Sequence, residues 1–525
     1  MTSISPTSYA ATLRSDVPSR ISRARTRPAW LPLPFAAATV LPATSLLAGG
    51  QQFLTDAGWL VMTALCAGFL AVELKMFHKR FGVGGIVFFG GVLIWFCQDY
   101  FAHWFGLAGP ASSGTLFASV TVDPALLAKA SFYHFLFITF VTVGMAIDWG
   151  HFGARLFAKA PQPASNRTLL WVITLLVVIG LMPYALFTTD SFFVALWKDM
   201  WSMRSGQGPA WTLGRTGNLN YSWGGYLGQL FQIGRFAGLL AAFFAIFLAT
   251  HKSTKLFCWF LWLIWFMLAF GSGTRSLLAV MGLPPLAMIF IKHHTQIAAY
   301  IRRSRIPTYV LVASLAIILY LTTQVVGYVR NYGLSGIDAL DQQTLATPKD
   351  NTMFSHTLWV FGNVPNNRAF VSASMPGEGA VRAIPETLFY AAVGIVPRAL
   401  WRDKPVDPLW AWSTLERGGG TLIKSTTVAT GQVGGWYAKY GVAGVIEGAL
   451  FWSWMLLAFE KLLLFSGRKP LLLVIGLAGH AFLFRSFRGM NWNAFYPIVI
   501  AVSALALLAL FTRRIPTNGY TLQRD

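Results

Sequence analysis

Two prolines, Pro397 and Pro405, bracket three cations, Arg398, Arg402 and Lys404, in the run VPRALWRDKP at residues 396–405. Proline fixes its own backbone and restrains the residue before it, so the bracket makes a stiff cationic turn. Guanidinium groups grip phosphate oxygens in a planar, bidentate fashion, and an ammonium adds a point charge. Such a turn suits a multiply charged anion like pyrophosphate; a merely solvated basic turn is the plainer alternative. The surrounding stretch, from residue 329 to about 432, carries nine Lys/Arg, Arg330 among them. Interleaved are Asp338, Asp341, Asp350, Glu378, Glu386, Asp403, Asp407 and Glu416, with Trp359, Phe361, Phe370, Tyr390, Trp401, Trp410 and Trp412. Aromatic faces stack on sugar rings, and a carboxylate or imidazole accepts a hydroxyl proton. Together these side chains suit a phosphate-linked sugar, against the alternative that the aromatics form an interfacial belt and the charges are solvated. Glu378, Glu386, Asp403 and His356 all qualify as the base, and no spacing separates them.

Further cations sit at membrane level, where an ionisable side chain implies function until shown otherwise. Arg275 lies in GSGTRS at the outer end of a tight helical hairpin, and Arg485 and Arg488 lie in RSFRGMNW at the end of another. These two hairpins could converge; snorkelling to lipid phosphates is the competing reading. Arg235, inside an apolar run, needs a partner or a water-filled cavity, and a structural ion pair would serve as well as a ligand. No His-Glu-x-x-His or comparable spacing suggests a metal site. Gly418–Gly420 carries no Gly-Lys-Ser/Thr and is no phosphate-binding loop. The spacing from Arg368 to Gly379 is what 49 glycines produce by chance.

The elements that must hold these residues are membrane spans. The chain of 525 residues is 55% hydrophobic and 11% charged, with mean hydropathy +0.55. Soluble domains carry about 25% charged residues. Apolar runs of about 20 residues recur along the whole length. Twelve spans are predicted: 30–48, 55–74, 83–98, 131–150, 168–188, 226–250, 256–272, 276–292, 308–328, 433–458, 470–486 and 495–512. Prolines interrupt the first and eighth, and only GSGTR parts the seventh from the eighth. Counting Lys and Arg with the N-terminus inside puts 23 on the inner segments, distributed over every short loop, against 16 outside, mostly in the large loop. The chain is therefore read as N-in and C-in. The resulting organisation is a basic cytoplasmic tail (1–28), helices 1–9 (29–328), a large periplasmic loop (329–432) containing short helices, helices 10–12 (433–512) and a cytoplasmic tail (513–525). The N-terminal 28 residues lack the layout of a cleaved signal peptide. Cys66, Cys97 and Cys258 all lie in apolar segments, which excludes a disulfide-stapled external domain and a thiolate metal site. The net charge of +22 is assigned to membrane orientation and to anionic lipid or pyrophosphate, not to nucleic acid. No internal repeat of the kind transporters carry is visible.

Three segments resemble the Wzy-type oligosaccharide repeat-unit (O-antigen) polymerases of bacterial envelopes. IVPRALWRDKP (395–405) is similar to that family's Pro-Arg-x-x-Trp-x-x-Lys-Pro stretch. TTVATGQVGGWYAKYGVAGVIEG (426–448) is similar to its Thr/Gly segment and Tyr-x-x-(Phe/Tyr)-Gly. GSGTRSLL (271–278) resembles a Ser/Gly-Arg hairpin shared with the related ligases, and RSFRGMNW is a fainter echo. Arg402 and Asp403 depart from the family, which often has Pro and a variable residue there. The resemblance implies an all-α polytopic membrane glycosyltransferase of the GT-C-like class in the bacterial inner membrane, with its active site facing the periplasm. It implies transfer of a growing glycan from undecaprenyl pyrophosphate to a sugar hydroxyl of an incoming lipid-linked repeat unit. No cofactor, metal or nucleotide sugar is expected; a flippase and a chain-length regulator would be working partners. Expected phosphate ligands are Arg275, Arg398 and Lys404, then Arg402, Arg485, Arg488 and Arg330; the base is one of Glu378, Asp403 and His356. An O-antigen ligase, for which His356 keeps a place, and a twelve-span transporter are the rivals. A dolichyl-phosphate-type transferase is disfavoured, because the first outer loop is short and holds no acidic pair.

Overall fold

The structure is a computed structural model, and it describes residues 27–80, 83–98, 100–101, 123–147, 149–150, 166–186, 191–201, 224–271, 275–303, 389, 393, 401, 431–465 and 471–487. Every regular element among them is helical. In chain order they are α1 (Pro32–Leu47), α2 (Gln52–Arg80), α3 (Val83–Val92, continued by a π-helical turn Leu93–Cys97) and α4 (Pro124–Ile147). Next come α5 (Asn166–Leu186), α6 (Phe192–Trp201), α7 (Gly224–Phe243, continued by a π-helical turn Phe244–Leu248), α8 (Lys252–Gly271) and α9 (Arg275–Arg303). The last two are α10 (Gln432–Phe465) and α11 (Leu471–Ser486).

Six segments are long and apolar enough to cross a membrane: Gln52–Met76, Pro124–Ile147, Asn166–Ala185, Leu230–Leu248, Lys252–Gly271 and Gln432–Leu463. Four shorter apolar helices, Pro32–Leu47, Val83–Cys97, Leu277–His293 and Leu472–Ser486, accompany them. A helix that is apolar all round belongs in a core or a bilayer, and these present large side chains outward: Leu33, Trp171 and Leu256 are each about two-thirds exposed or more. This is the surface of a protein compatible with a membrane. Ten of the twelve predicted spans overlap helices; 308–328 and 495–512 lie outside the described residues, as do the tails except residues 27 and 28, and nearly all of the loop 329–432.

The helices pack as two groups. α1 lies along α4 and α2, α2 on α3, and α10 along α4 and α11. α7 lies along α5 and α8, with α9 and α6 completing that side. α11 joins the groups, touching α3 and α10 on one side and α7 and α9 on the other. α6 is an addition to the sequence reading, which placed a loop there. FFVALWKDMW is too short to span, but it buries Ala195 while exposing Phe193 and Trp197, and it packs on α8 and α5.

Candidate functional site

Gly180 of α5 and Gly234 of α7 let two backbones meet: a Cβ on Gly180 would come within 2.5 Å of the Gly234 Cα. Close approach over small residues is the main packing device available to helices in lipid. The indole of Trp265 on α8 fills the space both glycines leave and is fully buried. This junction sets the rotation of α7, and the next residue, Arg235, is thereby turned toward α9 and α11.

Arg235 opens into a narrow cavity of about 40 Å³, enough for one water at liquid density. Gln232, Phe236 and Leu239 line it from α7, Leu277, Val280 and Met281 from α9, and Ala478, Phe482 and Arg485 from α11. The Nε of Arg235 has no hydrogen-bond partner among the described residues. Tyr184 of α5 is near enough to interact with it electrostatically. Two arginines from different helices thus share one small space with a glutamine. The chain carries no Asp or Glu between Asp199 and Asp338, so α7, α8 and α9 have no carboxylate of their own to offer.

α10 is two helices. At Gly441 the backbone takes φ 65° and ψ −145°, and the legs 432–440 and 442–465 fold back on each other. The contacts require this. In a straight helix Trp436 and Gly448 would lie ~18 Å apart, yet a Cβ on Gly448 would collide with the Trp436 indole, and one on Gly444 would lie 2.5 Å from the Trp436 carbonyl. The first leg begins against α11. The Gln432 amide N–H donates to the Phe487 carbonyl at 3.1 Å. The Gln432 side chain donates to the Ser486 carbonyl at 2.8 Å and accepts from Trp436 Nε1 at 3.0 Å. Trp452, on the second leg, donates to the Ser486 hydroxyl at 2.9 Å. Gln432 and Trp452 are therefore level with each other, and Trp452 is about 16 Å along the helix from Gly441, near half the thickness of a ~30 Å hydrocarbon core. The start of α10 accordingly reaches α11 level with Trp452 before the chain runs on to Gly441 and turns back. Tyr437 on the first leg packs on Tyr133 of α4 with ring centroids 4.7 Å apart, and the Lys129 ammonium lies 5.5 Å over the Tyr437 ring.

Of the residues singled out from sequence, Arg485 lines the cavity. The backbone of Arg275 starts α9 two residues before Leu277, at one end of that cavity. Arg330, His356, Glu378, Glu386, Arg398, Arg402, Asp403, Lys404 and Arg488 lie outside the described residues. α9 and the start of α10 thus each adjoin α11, on its two sides, and the described parts of three of the four quoted segments fall there. No group of His, Cys, Asp or Glu that could hold a metal occurs among the described residues.

Two polar clusters escaped the sequence reading. Arg27 donates through Nε to Glu73 of α2 (3.0 Å) and through a terminal nitrogen to Glu460 of α10 (3.1 and 3.2 Å), all three being nearly buried. Burial opposes the Arg27 charge, but Glu460 and Glu73 outweigh it and raise its pKa above the ordinary arginine value. Gly84 and Gly85 make room: a Cβ on either would strike Glu460 or Glu73. At the opposite ends of α2 and α3, Tyr100 donates to Asp56 and stacks on Trp59, whose Nε1 donates to Ser131 at 2.8 Å. Burial, then the Asp56 carboxylate, raise the Tyr100 pKa. No sequence spacing announces either cluster, because the partners lie on different helices. No family model, curated protein or solved structure matches the chain.

Proposed function

We propose that this chain is a metal-independent membrane glycosyltransferase that polymerises undecaprenyl-pyrophosphate-linked oligosaccharide repeat units on the periplasmic face of the bacterial inner membrane. The reading takes the chain as a twelve-span, N-in and C-in protein. The observation that supports it is that α9, begun by Arg275 of GSGTRSLL, and α10, which holds most of the 426–448 segment, both pack on α11, with Arg235 and Arg485 lining a cavity on the α9 side.

The chemistry follows from the residue types. The acceptor sugar hydroxyl attacks the anomeric carbon of the lipid-linked glycan, and the bond from that carbon to the pyrophosphate oxygen breaks. Undecaprenyl pyrophosphate leaves with the bonding electron pair, and the hydroxyl proton passes to one of Glu378, Asp403 and His356. Arg398 and Lys404, with Arg402 and Arg330, would meet the pyrophosphate from the loop, and Arg275, Arg485 and Arg488 from the spans. Their charge favours the transition state, in which negative charge builds on the leaving oxygen.

Deleting the gene should leave single repeat units on the final acceptor, read as the loss of the ladder on a polysaccharide gel. Unchanged polymer length would reject the reading. Unattached undecaprenyl-linked polymer would instead establish a ligase, and lipid-linked units trapped on the cytoplasmic side a transporter. Arg398→Ala should abolish the ladder while the protein remains in the membrane.

A further inference from the structure

The end of α8 opposite its junction with α9 carries Lys252 and Lys255, with Lys292 of α9 within electrostatic reach of Lys255, next to an apolar furrow on α8. Lys252 and Lys255 begin α8 and are exposed, and the Lys292 ammonium is half-buried. Lys292 also donates to the Ile246 carbonyl in the π-helical turn that ends α7, and it lies 5.9 Å over the Phe247 ring. The missing carboxylates matter here too: with no Asp or Glu from residue 200 to 337, neither α7, α8 nor α9 can neutralise this group. Three cations on the facing ends of α8 and α9, with no acidic residue on α7, α8 or α9, favour an anion from elsewhere.

The furrow says which kind. Ser253, Leu256, Phe257, Trp259, Phe260 and Leu263 line an open groove along α8. Lys252, Leu256, Trp259 and Leu263 follow one another at helical spacings of four, three and four residues, so the cation stands at the foot of the apolar row. Leu256 is 73% and Phe260 57% exposed. A phosphodiester head beside the lysines would leave its acyl chain lying along this row.

We propose that this face binds one anionic phospholipid, its phosphate held by Lys252, Lys255 and Lys292 and its chain seated against Leu256, Phe260 and Leu263. This requires only that α8 lies in a bilayer and stands apart from the proposed glycosyl transfer. The contribution of a basic residue near a membrane surface, about 1 kcal/mol, corresponds to roughly fivefold in affinity per lysine.

The test uses the full-length protein, stripped of lipid in a neutral detergent, with phosphatidylglycerol or phosphatidylcholine added and bound lipid counted by native mass spectrometry. One phosphatidylglycerol should be retained in preference to phosphatidylcholine. Lys252→Gln and Lys255→Gln should each weaken it about fivefold; both side chains are exposed, so neither substitution disturbs the packing. Lys292 is left intact because it also holds the Ile246 carbonyl. Equal retention of the two lipids, or full retention by the double variant, would overturn the proposal. So would equal binding of glycerophosphoglycerol, which has the head and no chains, or displacement of the lipid by millimolar inorganic phosphate, since either would make the site one for a soluble anion.

Discussion

Arg27 and Arg235 are both buried guanidinium groups, and they are held in opposite ways. Arg27 has a carboxylate on each side. Removing one member of a buried ion group leaves the others uncompensated and costs ~3–5 kcal/mol, whereas replacing the whole group by neutral side chains is often tolerated. Arg27→Met should therefore lower the thermal midpoint in detergent sharply, and adding Glu73→Gln and Glu460→Gln should restore most of it. Arg235 has a cavity and a tyrosine nearby, but no carboxylate from its own or the flanking helices. An uncompensated buried cation is expensive, so Arg235→Gln should leave the thermal midpoint unlowered. If the cavity belongs to the transfer site, the same variant should reduce polymer at least 100-fold. A fall in stability with polymer length intact would make Arg235 a structural residue.

Among the elements, α10 separates two ways in which glycine matters. At Gly441 nothing lies near an added Cβ, but the backbone occupies a region closed to other residues, so Gly441→Ala costs conformation alone, of order 1–3 kcal/mol. At Gly448 the backbone is ordinary helix, and Gly448→Ala fails only because the Trp436 indole occupies the place of the Cβ. Both changes should free the first leg from the second. The expected readout is loss of polymer with unchanged membrane insertion, and a rise in Trp436 solvent accessibility measured by fluorescence quenching. Span prediction succeeded where apolar length alone decides, 470–486 matching Leu471–Ser486, whereas the predicted single span 433–458 runs across the reversal at Gly441, and only its part after Gly441 belongs to the long leg. The fold-back stayed invisible because nothing in GVAG marks a reversal; it is specified by Trp436 meeting Gly444 and Gly448 across the turn. The cavity was half legible. Arg235 and Arg485 stood out as intramembrane charges, but that they share a space is decided by the contact of Gly180 with Gly234, two helices and many residues apart.

At the scale of the whole molecule, α11 is the member that both groups of helices share, and the chain reaches it from two distant places. Cys66, Cys97 and Cys258 are all buried, so the unaltered protein should resist maleimide until denatured. Single cysteines placed in the tails and in the loop 329–432 can then be read against a silent background. Tails labelled only after permeabilisation, with the loop labelled on intact spheroplasts, would establish the N-in and C-in arrangement; the converse would refute the periplasmic site. Arg27 has a further significance in time. Glu460 stands 433 residues after it. At ~5–20 residues per second of synthesis, Arg27 exists for roughly 20 to 90 s before that partner is made. During that interval Glu73, 46 residues after it, is its single carboxylate partner, and in the proposed N-in arrangement the incompletely paired charge would help keep the first helix's leading end on the side of synthesis. Once α10 arrives, the same charge is withdrawn into the ion group. One cation thus serves first as an address and afterwards as a clasp, and a defect in Arg27 should appear as early misinsertion as well as late instability.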